Sequence, residues 1–407
     1  MSIRKLPTIL GILSLIGLAF GVGYISYPLL HGAPQAPTAP LSSAPTHAQE
    51  MGVYWDAWGI LDRDFMGTKP DATTRTYAAI RGMVESFNDP YTFFVEPQPR
   101  ELERDDLAGK FGGIGANVEA TADGYTLHPV PGQPAAAAGI LDGDLLLLVD
   151  GREVTSATTA EELATWVRGP VGSVVALVVR RYPTPDAEAV ELTFEVTRIE
   201  IETPSVEWHL LAESPSGQVG YIRHTLFTER SAGEMQQAIT ELDAQGATRY
   251  ILDLRGNRGG LVSTAIAVAD LWLDEGVIFI EEKADGASRR EEATPGMAVD
   301  APLVVLIDGG SASAAEIVAG ALQDHGRARL VGTTTYGKGS VQLIHELPDQ
   351  SSLHVTNAQW YTPKHRPISG HGLEPDISVA ADVDPLPEAI AVVEAAPLAQ
   401  SASSPGN

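Results

Sequence analysis

The chain of 407 residues contains no cysteine. That excludes disulfides, a thiol nucleophile and cysteine-ligated metal, and it leaves the redox compartment open. Basic residues are scarce, 27 Lys and Arg against 53 Asp and Glu, for a net charge of −26. A surface of that sign repels nucleic acid and anionic head groups, so no nucleic-acid partner is expected. Charge is missing altogether from Leu6 to Leu30, which follow Arg4 and Lys5. These 25 residues exceed the core of a signal peptide and are long enough to cross a bilayer. The basic flank would stay in the cytoplasm and the rest of the chain outside. Residues 1–30 therefore read as a signal anchor or transmembrane segment. Thr46-His47-Ala48 also offers a small-residue cleavage site, so a cleaved signal is the alternative.

Residues 31–50 lack Asp, Lys and Arg as far as Gln49 and repeat Pro and Ala, the composition of an extended linker. Residues 51–103 form a helical N-terminal segment on pattern. Val53, Trp55, Trp58, Leu61 and Phe65, then Tyr77, Ile80, Val84 and Phe87, recur at helical spacing, and Asn88-Asp89-Pro90 ends the run. Over 104–198 the period shortens to strands between Gly and Pro, with Val174–Val179 and Leu192–Val196 the clearest and a short helix at Glu161–Val167. Over 199–380 the character becomes α/β. Tyr250–Leu254 and Leu303–Ile307 are apolar runs of the kind doubly covered parallel strands show, and each leads through glycines into a helix, Leu261–Leu273 and Ala314–Leu322. Functional loops in such sheets lie beyond the carboxyl ends of the strands. Residues 381–407 carry four acidic residues and no basic one among Ala, Pro and Ser, and are expected to be a flexible acidic tail.

Four segments can carry chemistry. Asp308-Gly-Gly-Ser-Ala-Ser313-Ala314-Ala-Glu316 sets a serine at a helix N-terminus, where unpaired amides can hold an oxyanion, though serine is equally a common helix cap. Gly337-Lys338-Gly339 holds a lysine with little bulk around it. If buried, its ammonium is disfavoured and it can act as a general base; otherwise it is an exposed turn residue. Gly339 stands where a phosphate loop needs Ser or Thr, so a nucleotide site is discarded. Asp253-Leu-Arg255-Gly-Asn257-Arg258-Gly259-Gly260 is a strand ending in a glycine bend that can bring amides to a ligand or simply turn the chain. Gly112-Gly113-Ile114-Gly115 precedes a strand and can hold a peptide carboxylate on backbone amides. None of the 10 histidines sits in a triad motif, no Gly-x-Ser-x-Gly elbow surrounds Ser313, and no His-Glu-x-x-His spacing occurs.

Taken in order, these segments resemble the carboxyl-terminal processing peptidases of family S41, serine proteases with a PDZ domain. The resemblance runs from about Val53 to Val379 and includes Arg81-Gly82-Met83, Asp89-Pro90-Tyr91-Thr92, Tyr361-Thr362-Pro363 and Gly372-Leu373-Glu374-Pro375-Asp376. It implies an α/β fold: a core like ClpP and crotonase, an inserted mainly-β PDZ domain and a helical leader. It implies a serine endopeptidase that recognises substrate C-termini through the PDZ domain and cleaves with a Ser-Lys dyad. Ser313 would be the nucleophile and Lys338 the base, twenty-five residues apart as in the family. Gln342 would orient the base, and the amides of Gly259 and Ala314 would form the oxyanion hole. Gly113, Ile114 and Gly115 would bind peptide, and Arg168 would be the regulatory residue linking the PDZ domain to the core. Arg258 stands where the family usually has proline, and Ala315 where it often has serine. No metal or organic cofactor is implied. The partners implied are proteins or peptides with free C-termini, an adaptor protein, the membrane through the anchor, and a homo-oligomer. The compartment implied is a bacterial inner membrane with a periplasmic catalytic domain, or the periplasm itself after signal cleavage. A silent peptide-binding PDZ scaffold and an acyl-thioester-binding core remain the rival classes.

Overall fold

The structure, a computed structural model, describes residues 48–182, 188–296 and 298–398. The expected anchor at 1–30 and most of the linker lie outside the described residues. Among those described, no helix is long and apolar enough to cross a membrane. The chain divides between Thr74 and Arg75 into two units. In the first, Ala48–Asp64 is a helix that leaves Val53, Trp55, Ile60 and Leu61 exposed.

In the second unit, a six-stranded sheet runs in the order Val206–Leu210, Val219–His224, Arg249–Asp253, Leu303–Ile307, Ala328–Gly332, Ile377–Ser378. Only its first pair is antiparallel. The apolar runs read from the sequence are its centre. Alternate residues face opposite ways along a strand, so Leu252, Val305 and Leu330 pack into one core, whereas Ile251, Val304, Leu306 and Val331 pack into another. The first core is closed by helices Ser231–Ala244, Val262–Asp270 and Ala314–Asp324.

The second core corrects the expectation of a flexible tail from Ala381. Leu386–Ala395 is a helix whose Ala389, Ile390 and Val393 are buried against the strands. Spacings of three and four put these residues on one face, and burying each larger side chain contributes about 1.5–3 kcal/mol toward holding the helix against the sheet.

The leader is not wholly helical. Helix Ala72–Glu85 stops before Asn88, and Phe93–Val95 is a strand paired with Ser352–His354 of a second sheet built on the long strand Ser352–Tyr361. Aromatic and β-branched residues suit that half-buried edge. Helix Pro97–Ala108 then leads to the inserted module. The module is a sheet in the order Ala116–Thr121, Gly124–Pro129, Asp144–Val149, Val174–Arg181, Val190–Thr197, with a helix at Ala160–Val167 and its own core around Leu127, Ile140, Leu146, Leu163 and Leu177. Its two ends are joined where Lys110–Gly113 pairs antiparallel with Ile199–Glu202.

Candidate active site

The buried strand Leu303–Ile307 runs into a turn that the neighbouring bend holds from the side. Asp308 accepts from the amides of Gly310 at 2.8 Å and Gly256 at 2.9 Å, and the Ser311 hydroxyl donates to the Leu254 carbonyl at 2.7 Å. Ala312 donates to the Asn257 carbonyl at 2.9 Å. Ser313 follows with φ +55° and ψ −115°, a conformation natural to glycine and strained for serine. The helix Ala314–Asp324 begins at the next residue.

Gly259 meets this serine. A methyl group on its α-carbon would lie 2.8 Å from Ser313 Cβ and 3.0 Å from the Ala314 nitrogen, so only glycine permits the approach. The Ala314 amide has no acceptor among the described residues. The Gly259 amide does have one: it donates to Asn257 Oδ1 at 2.9 Å, and the buried Asn257 donates in turn to the His224 carbonyl at 2.8 Å. The two amides assigned to the oxyanion hole are thus brought together, with one already engaged.

Lys338 is half-buried. Its ammonium donates to Gln342 Oε1 at 3.0 Å and lies 5.6 Å from the centre of the Tyr91 ring. Gln342 donates through Nε2 to the Tyr91 carbonyl, so the leader strand's approach fixes the glutamine that fixes the lysine. Burial pulls the lysine pKa below its ordinary value, and the Glu103 carboxylate works in the opposite direction. The flanking glycines let another loop close in: a Cβ on Gly337 would lie 2.9 Å from the Gly372 nitrogen, and one on Gly339 2.5 Å from that of Ser369. The Gly372-Leu373 motif is therefore the wall behind the lysine.

Sequence reasoning missed the residue that joins the two loops. Glu316 is fully buried and accepts from the Ser313 amide at 2.8 Å, the Thr335 hydroxyl at 2.5 Å, the Gly337 amide at 2.8 Å and the Lys338 amide at 2.9 Å. Its signal was present as the acid three residues into a helix opened by serine, which is a capping-box spacing. Glu103 was missed as well, and nothing local marks it; Tyr91 stood within the Asp89–Thr92 motif but carried no role. Glu103 sits beside His354, with 3.4 Å between carboxylate and imidazole. Burial pushes its pKa up, but His354 and Arg100 together hold it below the ordinary carboxylate range. No described hydrogen bond joins a histidine ring to Ser313.

In the inserted module, Ala116–Thr121 is an edge strand, paired only with Gly124–Pro129. Gly113, Ile114 and Gly115 lie at its head. Ile114 and Gly115 use their carbonyls to accept from Ala135 at 2.8 Å and Val130 at 2.9 Å, while their amides donate to no acceptor among the described residues. Arg168 ends the helix Ala160–Val167. It does not reach the α/β core: it donates to Asp106 at 2.9 Å and stacks 4.0 Å over the Phe111 ring. The acid it finds belongs to helix Pro97–Ala108.

Residues 218–379 match peptidase family S41, and residues 128–181 match the PDZ domain. A carboxyl-terminal-processing protease of Picosynechococcus sp. is 38% identical over 322 residues, covering 78% of this chain and 76% of that protein. A carboxy-terminal-processing protease of Bartonella bacilliformis is 36% identical over 330 residues, covering 79% of this chain and 72% of its own. A solved photosystem II D1 C-terminal processing protease is 29% identical and covers 84% of this chain and 97% of its own, with a TM-score of 0.49. Identity of this depth over most of both chains means that the chain belongs to the carboxyl-terminal processing proteases, serine-type peptidases of family S41.

Proposed function

We propose that this protein hydrolyses peptide bonds through an acyl-enzyme, with Ser313 as nucleophile and neutral Lys338 as its base. Lys338 takes the serine proton as Oγ attacks the scissile carbonyl and returns it to the leaving amine. A water that gives its proton to Lys338 then attacks the ester, and that proton passes to Oγ as the acid is released. The Ala314 amide and, once released from Asn257, the Gly259 amide hold the tetrahedral oxyanion. The observation that carries this reading is the single carboxylate of Glu316, bonded to the backbones of both Ser313 and Lys338. A cap serine and an unrelated turn lysine have no need of a shared buried anchor. Ser313→Ala and Lys338→Ala should each abolish proteolysis, and the double variant should be no worse, because the pair works as one unit. Retained activity in Lys338→Ala, with fluorophosphonate labelling of Ser313 intact, overturns the lysine-base assignment.

The PDZ module is proposed to capture the free C-terminus of a substrate. The peptide would add to the edge strand Ala116–Thr121 with its carboxylate on the amides of Ile114 and Gly115, Gly113 completing the turn. C-terminal amidation of a protein substrate should then slow its cleavage and leave a small ester unaffected. An N-terminal anchor at Leu6–Leu30 and an extracytoplasmic site of action belong to the same proposal. Resistance to carbonate extraction supports the anchor, and a mature N-terminus near Gln49 overturns it. Delivery by an adaptor and self-association are compatible with the reading and are tested by co-purification and by sedimentation.

A further inference from the structure

The leader turns at Asp89-Pro90-Tyr91-Thr92, and the turn is tied within itself. One Asp89 carboxylate oxygen accepts from the Tyr91 amide at 3.1 Å and the other from the Thr92 hydroxyl at 2.7 Å, while the Thr92 amide donates to the Asp89 carbonyl at 3.2 Å. Aspartate favours such turns because its side chain can bond the backbone two residues on.

The turn lands on a gap in the second sheet. Along one edge the long strand Ser352–Tyr361 pairs with Ser340–Glu346. Its other edge is shared: Phe93–Val95 takes residues 352–354, and Val277–Lys283 takes residues 358–361. Thr356 falls between them, with no strand on that side to accept from its amide, and a ladder amide needs an acceptor. The Thr92 hydroxyl is that acceptor, at 3.1 Å. Thr356 is also the residue directly opposite Gln342 on the neighbouring strand. One residue earlier in the turn, the Tyr91 carbonyl accepts from Gln342 itself. The turn thus holds both members of the cross-strand pair whose glutamine accepts from Lys338 at 3.0 Å.

We infer that Thr92 is a positioning residue for the base Lys338, acting through the Tyr91 carbonyl and Gln342. The inference rests on the proposed chemistry of Ser313 and Lys338. Gln342 offers one amide group to two partners, its oxygen to Lys338 and its nitrogen to Tyr91, so the acceptor stays aimed at the lysine only while the Tyr91 carbonyl stays in place. That carbonyl is held from both sides by Asp89 and Thr92. The Thr92 hydroxyl serves two ends at once: it donates to Asp89, which closes the turn, and accepts from Thr356, which docks the turn on the sheet. Loss of the hydroxyl leaves the Asp89 carboxylate and the Thr356 amide each short of a partner and frees the turn to lift. A lysine whose acceptor has swung away regains water, and fewer of its conformations reach the reacting atoms.

The test compares Thr92→Val, which keeps the shape and loses the hydroxyl, with Thr92→Ser, which keeps the hydroxyl, in the full chain. Peptide cleavage is measured per fluorophosphonate-labelled Ser313, so that unfolded enzyme drops out of the rate. Thr92→Val should lower kcat by about tenfold with KM little changed. Its rising limb of kcat/KM should also move to higher pH, because burial holds the lysine pKa down and a released lysine is less buried. Thr92→Ser should restore both. In a Gln342→Ala background the same Thr92→Val change should cost about twofold at most, since the route it uses is already cut. A Thr92→Val variant with wild-type kcat and an unmoved limb overturns the inference, as does a loss that stays tenfold in Gln342→Ala. Should Thr92→Val fail to fold, Asp89→Asn removes the oxygen that accepts from the Thr92 hydroxyl and keeps one for the Tyr91 amide. It should show the same loss and the same silence in Gln342→Ala, and an additive loss overturns the inference. A wild type that neither labels nor cleaves overturns the hydrolase reading beneath it, an outcome distinct from an active wild type indifferent to Thr92.

Discussion

At Lys338 two forces oppose each other. Burial disfavours the ammonium, while Glu103 favours it, and burial is the larger. A base must be neutral to accept a proton, so kcat/KM should rise with pH through one ionisation whose midpoint lies below that of a free lysine. Replacing Glu103 by Gln removes the charge that holds the proton on. The midpoint should move lower still, so that the variant gains relative activity on the acid side of the limb. A pH–rate profile of the two proteins checks both the direction and the order. Ser313 supports a second expectation at this scale. Its backbone sits at φ +55°, where a Cβ is unfavourable. Both Ser313→Ala and Ser313→Gly should be inactive, but the glycine variant should be the more stable, by about 1 kcal/mol or more, because it adopts that conformation without strain. Thermal melts of the two variants give the comparison directly.

Between elements, the decisive contact is the one Glu316 makes. Helix Ala314–Asp324 ends one loop and strand Ser340–Glu346 follows the other, and no strand pairing connects them. Four donors converge on one buried carboxylate instead. Glu316→Gln keeps the shape but turns an amide N–H toward these donors, so the serine and lysine loops lose their common anchor. Displacement of a reacting group by an ångström costs about 100-fold in rate, and a loss of that order is expected for both peptide cleavage and fluorophosphonate labelling. Far-ultraviolet circular dichroism should show the helices retained, which separates misplacement from unfolding.

Across the whole of the second unit, helix Pro97–Ala108 touches both the PDZ module and the lysine's surroundings. Asp106 pairs with Arg168, and Glu103, one turn earlier, lies beside His354 and acts on Lys338. The helix end is also tied to the α/β core, where Glu229 donates to the Leu107 carbonyl at 2.9 Å. If peptide binding favours one setting of this helix, it can shift the enzyme by no more than its difference in affinity for the two settings. Arg168→Ala and Asp106→Asn should then reduce stimulation of cleavage by a C-terminal peptide to the same degree, with the double variant no worse than either. An exposed pair of this kind stabilises the fold by only about 0.2–1 kcal/mol, so melting temperatures should barely move. Additive losses in the double variant would show that the two residues act separately.

The sequence by itself determined the parts that depend on local spacing. Apolar runs mark the centres of Arg249–Asp253 and Leu303–Ile307 because a strand covered on both faces buries the side chains on either side of it. Glycines mark the places where backbones pass closely, as Gly259 does against Ser313 and Gly337 against Gly372. The order of these motifs singles out Ser313, Lys338 and Gln342 as candidates, the last two hydrogen-bonded at 3.0 Å, and marks an inserted β module off from an α/β core. Only the tertiary structure decided what long-range packing controls. Leu386–Ala395 looks like tail by composition and is helix because Ile390 and Val393 find an uncovered sheet face. Phe93–Val95 becomes a strand because Ser352–His354 offers an edge. Arg168 finds Asp106 across a ribbon closed by residues some ninety positions apart. The Gly259 amide turns to Asn257, and a register shift leaves Asn357 an extra residue in its ladder, neither of which is written in the identity of the residue. Side-chain identity specifies what a residue can bond to, but which partner it meets is set by elements distant in the chain.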